Sequence, residues 1–177
     1  SIALTAFLFT ISKLPSVALH YLALSPFTSA AVRRRLRYSY GCIAIIDILL
    51  TQYLFFSGTL SYTLYSYKIL AVTCWIPYFV LTVSALRPYW FQHLLIFSLY
   101  SILTITLHTL VMRILFCFIT PSQHTAYFPA HIVLYLGLYA LVFPCIRSYF
   151  HTIFIQYHHL STRYFWKYTS IFAFALF

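Results

Sequence analysis

The stretch that decides the fold runs from Ile2 to Arg37: IALTAFLFTISKLPSVALHYLAL over residues 2–24, then SPFTSAAVRRRLR over 25–37. A helix of about twenty apolar residues crosses a hydrocarbon core of about 30 Å, and residues 2–24 reach that length. Pro26 and the cluster Arg33, Arg34, Arg35 and Arg37 close the run. The same alternation of long apolar block and short polar break continues to the end of the chain. The whole sequence of 177 residues is 63% hydrophobic and 21% aromatic, with a mean hydropathy of +0.88. Charged residues make up 7% of it, against about 25% in an ordinary soluble domain. One carboxylate, Asp47, stands against eleven Lys and Arg. Too few polar side chains remain to cover a water-facing surface. This composition excludes a soluble globular domain, a disordered tail, a nucleic-acid module and any enzyme that needs paired carboxylates. A β-barrel fails as well, because the apolar residues run in unbroken blocks rather than alternating segments.

Counting apolar blocks against breakers predicts an all-α fold: a polytopic helical membrane bundle forming one transmembrane domain over 1–177. About six helices are expected, at about 2–24, 39–57, 69–86, 90–119, 130–145 and 164–177. The last stops inside the run IFAFALF, short of a full span, and the chain opens on Ser1 rather than Met, so the sequence reads as a fragment.

Orientation follows from the breaks. The segments 25–38, 87–89 and 147–167 fall on one side of such a bundle and carry eight basic residues, whereas Lys68 alone falls on the other. Cytoplasmic loops carry the excess of Lys and Arg. The reading is therefore a multi-pass protein of the cell membrane with its N-terminus outside, and Arg33, Arg34, Arg35 and Arg37 as the main topology determinants. Next to a membrane segment such a cluster also meets anionic lipid headgroups. The net charge of +10 is scattered between apolar blocks, so no nucleic-acid partner is expected. Trp75, Trp90, Trp166 and many of the 17 tyrosines lie toward helix ends and read as an aromatic belt. Cys42, Cys74, Cys117 and Cys145 are far apart, form no C-x-x-C and read as small core residues.

Ionisable groups at membrane depth are costly and face a partner or a cavity. Lys13 and Asp47 are predicted at similar depth on the first two helices, which makes them an intramembrane charge pair that pins those helices in register. His108 and Arg113 lie five residues apart on the fourth helix, not on one face, and are the remaining polar groups for a pocket. His93, His151, His158 and His159 raise the question of haem or metal, but a single carboxylate argues against a metal centre, and no cofactor or metal is expected in the chain. No G-x-S-x-G, H-E-x-x-H, Walker A or glycine-rich nucleotide loop is present, so these residues contain no catalytic motif.

The order of features resembles the N-terminal transmembrane region of bacterial GHKL-type sensor histidine kinases, the group that includes agr-like quorum-sensing receptors. The resemblance is carried by LPSVALHYLALSPF followed by VRRRLR, by ALRPYWFQHLLIFSL over 85–99, by LVFPCIRSYF over 141–150 and by STRYFWKYTSIFAFALF over 161–177. The sequence departs from that pattern in lacking a proline shortly after Trp166 and in having no kinase half. The resemblance implies a parent protein that autophosphorylates with ATP and Mg in a separate kinase domain and passes the phosphoryl group to a response regulator. These residues would then be its signal-sensing input, with the lipid bilayer, a peptide or small-molecule signal and a second copy of the chain as partners. It further implies a seventh helix that brings the kinase to the cytoplasm. Two other readings stand beside it: a fragment of a small transporter or permease, and a respiratory-chain membrane subunit. The eight His favour the last, and the single Met112 opposes it.

Overall fold

The computed structural model describes residues 2–61, 66, 69–70, 73–87, 90–119, 124–156, 167–168 and 171. Helix α1 covers Ile2–Leu24 and closes on a short 3-10 turn at Ser25–Phe27. Helix α2 is Ala30–Phe56, α3 is Ile76–Ala85, α4 is Trp90–Phe116 and α5 is His124–Gln156. Among the described residues, four helices are long and apolar enough to cross a membrane, and α3 is a shorter apolar helix of 10 residues. The sequence-based expectation was six.

Most departures from the expected boundaries have an identifiable physical cause. Helix α2 begins at Ala30, not near residue 39, because the Ser29 hydroxyl accepts the Val32 amide and caps the first turn. Arginine is a good helix former, so the basic cluster is wound into α2 instead of forming a loop. At 1.5 Å per residue the 27-residue helix is about 40 Å long, which exceeds a hydrocarbon core of about 30 Å. A helix of that length is long enough to carry its arginine-bearing turns past the hydrocarbon layer it crosses.

The expected third helix at 69–86 is interrupted by a turn at Cys74–Trp75, and Pro77 starts α3 afresh. Proline suits a first helical turn, where its missing N–H is not needed. Helix α4 ends at Phe116, and residues 117–119 turn. The expected fifth helix at 130–145 extends in both directions to become α5, which runs 33 residues straight through Pro129 and Pro144. Neighbouring helices make proline tolerable in a membrane span. The expected sixth helix at 164–177 falls almost wholly outside the described residues.

Helix α1 is the centre of the bundle. It packs against α2, α3, α4 and α5, and 56% of its apolar span is buried against 17% for α2. The outer face of α2 therefore presents Ile45, Ile46, Leu49 and Leu50 to the surroundings. Antiparallel α1 and α2 are shown by Tyr21 against Tyr40 at one end and Phe9 against Phe55 at the other. Phe9 also meets Phe128, while Leu14 and Ala18 share a groove with Leu136 and Phe143, so α1 and α5 run parallel. Phe116 against Tyr127 and His108 against His131 make α4 and α5 antiparallel.

One apolar cluster runs the length of the bundle and includes Leu19, Leu24, Ile96, Val111, Tyr135 and Tyr139. A second gathers Phe9, Phe55, Leu70, Cys74, Phe128 and Ile132 toward the end opposite the arginines of α2. This arrangement puts Arg33, Arg34, Arg35, Arg37, Arg87 and Arg147 at one end of the bundle and Arg113 at the other.

Candidate functional site

The buried polar residues of the bundle are concentrated on α1. Thr10, Ser12, Lys13, Ser16 and His20 are all buried there. Lys13, Ser16 and His20 follow a three- and four-residue spacing, which places them along one side of the helix. The apolar sequence around them makes the helix, and the neighbouring helices bring a partner to each.

Lys13 reaches across to α2. Its Nζ lies 2.8 Å from Asp47 Oδ2, with the two side chains 4% and 3% exposed. Leaving either charge alone at this depth is costly, and the pair is retained because each neutralises the other. Asp47 has buried company. The Cys74 thiol and the Tyr78 phenol both lie close enough to interact electrostatically with its carboxylate. Thr51 follows Asp47 by one helical turn and Thr10 precedes Lys13 by one, and both are almost fully buried. The hydroxyls of Thr10, Thr51 and Tyr78 have no hydrogen-bond partner among the described residues. Buried hydroxyls without a partner among the described residues thus accompany the charge pair.

The next layer ties α1 to α4 and α5. Ser16 Oγ lies 3.3 Å from Thr104 Oγ1, and the Tyr135 and Tyr139 phenols approach Ser16 from α5. Nearer the basic end, His20 Nε2 lies 2.7 Å from His93 Nδ1 on α4, and His93 Nε2 lies 3.1 Å from the Leu86 carbonyl oxygen. A carbonyl can only accept. His93 therefore donates from Nε2, and its Nδ1 in the neutral ring accepts the Nε2 proton of His20. The chain of donors thus has one direction: His20 to His93 to Leu86.

A second histidine pair lies further along α4. His108 Nδ1 is 2.8 Å from His131 Nε2, and the Tyr135 ring stacks on His108 with centroids 4.0 Å apart and planes 3° from parallel. Helix α3 is fastened to α2 by side chains too. Thr82 donates to the Tyr78 carbonyl oxygen at 2.7 Å, so its oxygen accepts the proton of the Tyr40 hydroxyl.

The structure thus brings Lys13 and Asp47 together and places His108 in a contact between α4 and α5. It does not bring His108 and Arg113 into one site: Arg113 is exposed near the end of α4. Arg33 bonds the Ser25 carbonyl oxygen at 3.2 Å, while Arg34, Arg35 and Arg37 are exposed. Trp75 is not part of a belt but packs among Phe79, Phe97 and Tyr100. Of the cysteines expected in the core, Cys74 is buried, whereas Cys42, Cys117 and Cys145 are exposed. His151 is exposed, and His158, His159, Arg163 and Trp166 lie outside the described residues.

Sequence reading missed His20 and His131. The spacing of seven residues between Lys13 and His20 would have placed both on one side of α1, but nothing local names a partner for a histidine. No group of three or more His, Cys, Asp or Glu suited to a metal ion occurs among the described residues.

An open apolar groove of about 430 Å³ runs between α1 and α5, walled by Ile11, Leu14, Ala18, Leu136, Ala140 and Phe143, with Pro15 and Tyr139 completing it. Nothing in its lining carries a charge. No family model matches the chain, and neither a curated protein nor a solved structure matches it.

Proposed function

We propose that this chain is the membrane-embedded input region of a signalling protein, with α1 as its moving part. One observation carries the reading: the buried polar groups of α1 hold three different helices at once. Lys13 grips α2 at Asp47, His20 grips α4 at His93, and Ser16 meets Thr104 on α4 beside the α5 tyrosines. A slide or rotation of α1 by a fraction of a turn breaks these contacts together. Packed interfaces with polar contacts of this kind have discrete arrangements and do not deform continuously. A signal that binds one arrangement better than another shifts the population between them. The groove between α1 and α5, beside Pro15, offers an apolar ligand direct access to that helix.

This reading agrees with the resemblance to GHKL-type sensor kinases. In that case the parent protein carries a kinase domain that uses ATP and Mg and addresses a response regulator, and the input region sits in the cell membrane with its N-terminus outside. The test is made on the full gene product in native membrane vesicles. Autophosphorylation from labelled ATP should be measurable, and Asp47→Asn should change its basal level at equal protein abundance. A gene product without an ATP-binding kinase domain would end the sensor-kinase assignment.

A second reading is favoured by a separate observation, the unsatisfied hydroxyls of Thr10, Thr51 and Tyr78 around the ion pair. Intramembrane groups of this type line proton or ion paths in transporters. Proteoliposomes loaded with a pH-sensitive dye separate the two readings. Proton flux that Asp47→Asn abolishes favours transport; equal leakage with and without the protein favours the sensor.

A further inference from the structure

The eleven basic residues of the chain face a single side-chain carboxylate, and Asp47 is already paired with Lys13 deep in the bundle. No further side-chain carboxylate of these 177 residues remains for the arginines. Six of them nevertheless converge on one end: Arg33, Arg34, Arg35 and Arg37 in the first turns of α2, Arg87 just past α3, and Arg147 on α5. The N-terminus of α2 adds its own partial positive charge there. Counter-charge must come from outside the chain, and its place can be found.

Between the first turns of α2 and the last turn of α3 lies a cleft of about 280 Å³. Val32, Arg35, Leu36 and Ser39 form its α2 wall, and Leu81, Ser84 and Ala85 its α3 wall. The α2 residues follow the three- and four-residue spacing of one helix face. Arg35 is the one arginine of the cluster that lines this cleft, with Ser39 and Ser84 on its two walls. The remaining lining is aliphatic. At about 40 Å, α2 is long enough to carry this level to headgroup depth.

We infer that this cleft seats the phosphate headgroup of an anionic phospholipid, which Arg35, Ser39 and Ser84 hold while Val32, Leu36 and Leu81 border the start of an acyl chain. An arginine fork meets two phosphate oxygens at once, and hydroxyls supply further donors. Basic clefts between membrane helices are suited to such headgroups. A free inorganic phosphate satisfies the polar half of the cleft and leaves the aliphatic half uncovered. The lipid covers both.

The test uses the detergent-purified chain and native mass spectrometry with added phosphatidylglycerol or phosphatidylcholine. Phosphatidylglycerol should bind at one saturable site and survive 0.5 M salt, which dissolves a diffuse ion atmosphere because the Debye length falls to a few ångströms (about 3 Å at 1 M). Arg35→Gln should weaken that binding about tenfold or more, since it removes a charge-assisted, two-point contact. Arg34→Gln, which deletes the same charge from the same cluster but outside the cleft, should change it less than about threefold. Leu81→Trp, which keeps every charge and fills the cleft, should abolish it. Arg35→Lys keeps the charge without the fork and should give an intermediate loss, which guards against a folding defect in Arg35→Gln. Equal losses in Arg34→Gln and Arg35→Gln, retained binding in Leu81→Trp, or equal occupancy by phosphatidylcholine would each overturn the site. Displacement of the lipid by millimolar inorganic phosphate would overturn the lipid assignment.

Discussion

His93 stands between His20 and the Leu86 carbonyl oxygen, 2.7 Å from the first and 3.1 Å from the second. It therefore joins α1 to α4 and also satisfies a backbone group where α3 ends. His93 is fully buried and His20 3% exposed, so neither lost contact could be replaced by bulk water. Hydrogen bonds in such surroundings contribute little net stability when made and cost much more when one partner is removed.

His93→Phe should accordingly destabilise the bundle by about 1–3 kcal/mol, because it strands both the His20 donor and the Leu86 carbonyl. His93→Gln, which has a donor and an acceptor, should recover part of the loss. Thermal unfolding in detergent, followed by size-exclusion fluorescence, reads the difference. Equal midpoints for wild type and His93→Phe would show that the contact carries no weight.

The Lys13–Asp47 pair predicts a strongly non-additive cycle. Lys13→Met and Asp47→Leu should each cost about 3–5 kcal/mol, since each leaves a buried charge alone. The double variant should regain most of that, because an apolar pair of similar volume suits the interior. Folded yield and unfolding midpoint of the four proteins test this, and a double variant showing the sum of the single losses would contradict the pairing.

The grouping of arginines predicts sidedness. In a background with Cys42, Cys74, Cys117 and Cys145 replaced, Arg34→Cys, Arg87→Cys and Arg147→Cys should share one accessibility to an impermeant maleimide. Arg113→Cys should show the opposite one. The positive-inside rule places the first three in the cytoplasm, so they should be labelled only after cells are permeabilised. Labelling of Arg34→Cys from outside would reverse the proposed orientation, and different sides for Arg34→Cys and Arg147→Cys would contradict the packing.

The cap on α2 is testable by a small change. Ser29→Ala removes the acceptor for the Val32 amide and should cost about 0.5–2 kcal/mol. Ser29→Asp should be at least as stable as wild type, since a carboxylate both caps the turn and meets its positive end. Unfolding midpoints in one detergent decide it; a destabilised Ser29→Asp would argue against a helix start at this residue.

The sequence by itself determined the class of protein. A run such as Ile2–Leu24 is apolar over a membrane's thickness, and no soluble surface can be made from such runs, so helical spans follow from local composition alone. The boundaries of α1 and the start of α4 at Trp90 were legible for the same reason, since Ser25–Pro26 and Arg87–Pro88 punctuate the chain where they fall. The Lys13–Asp47 contact was legible as well, because burying a charge allows few answers and the chain contains one carboxylate. Sequence pattern failed where charge or proline was read as a boundary: the arginines at 33–37 lie inside α2, and Pro129 lies inside α5. Whether such residues end a helix depends on what caps the turn or packs beside it, and that is not a local property.

Only the tertiary structure decided which polar groups work together. His20 and His93 are 73 residues apart and His108 and His131 are 23 apart; each histidine alone looks like any other polar residue in an apolar run. Their pairing depends on the rotation and register of α1, α4 and α5, set by how Leu19, Ile96, Val111 and Tyr135 interlock in the common core. Hydropathy fixes that a helix is buried in an apolar medium and is silent about its angle there. Close packing of side chains sets that angle, and with it the cleft at Arg35 and the polar face of α1.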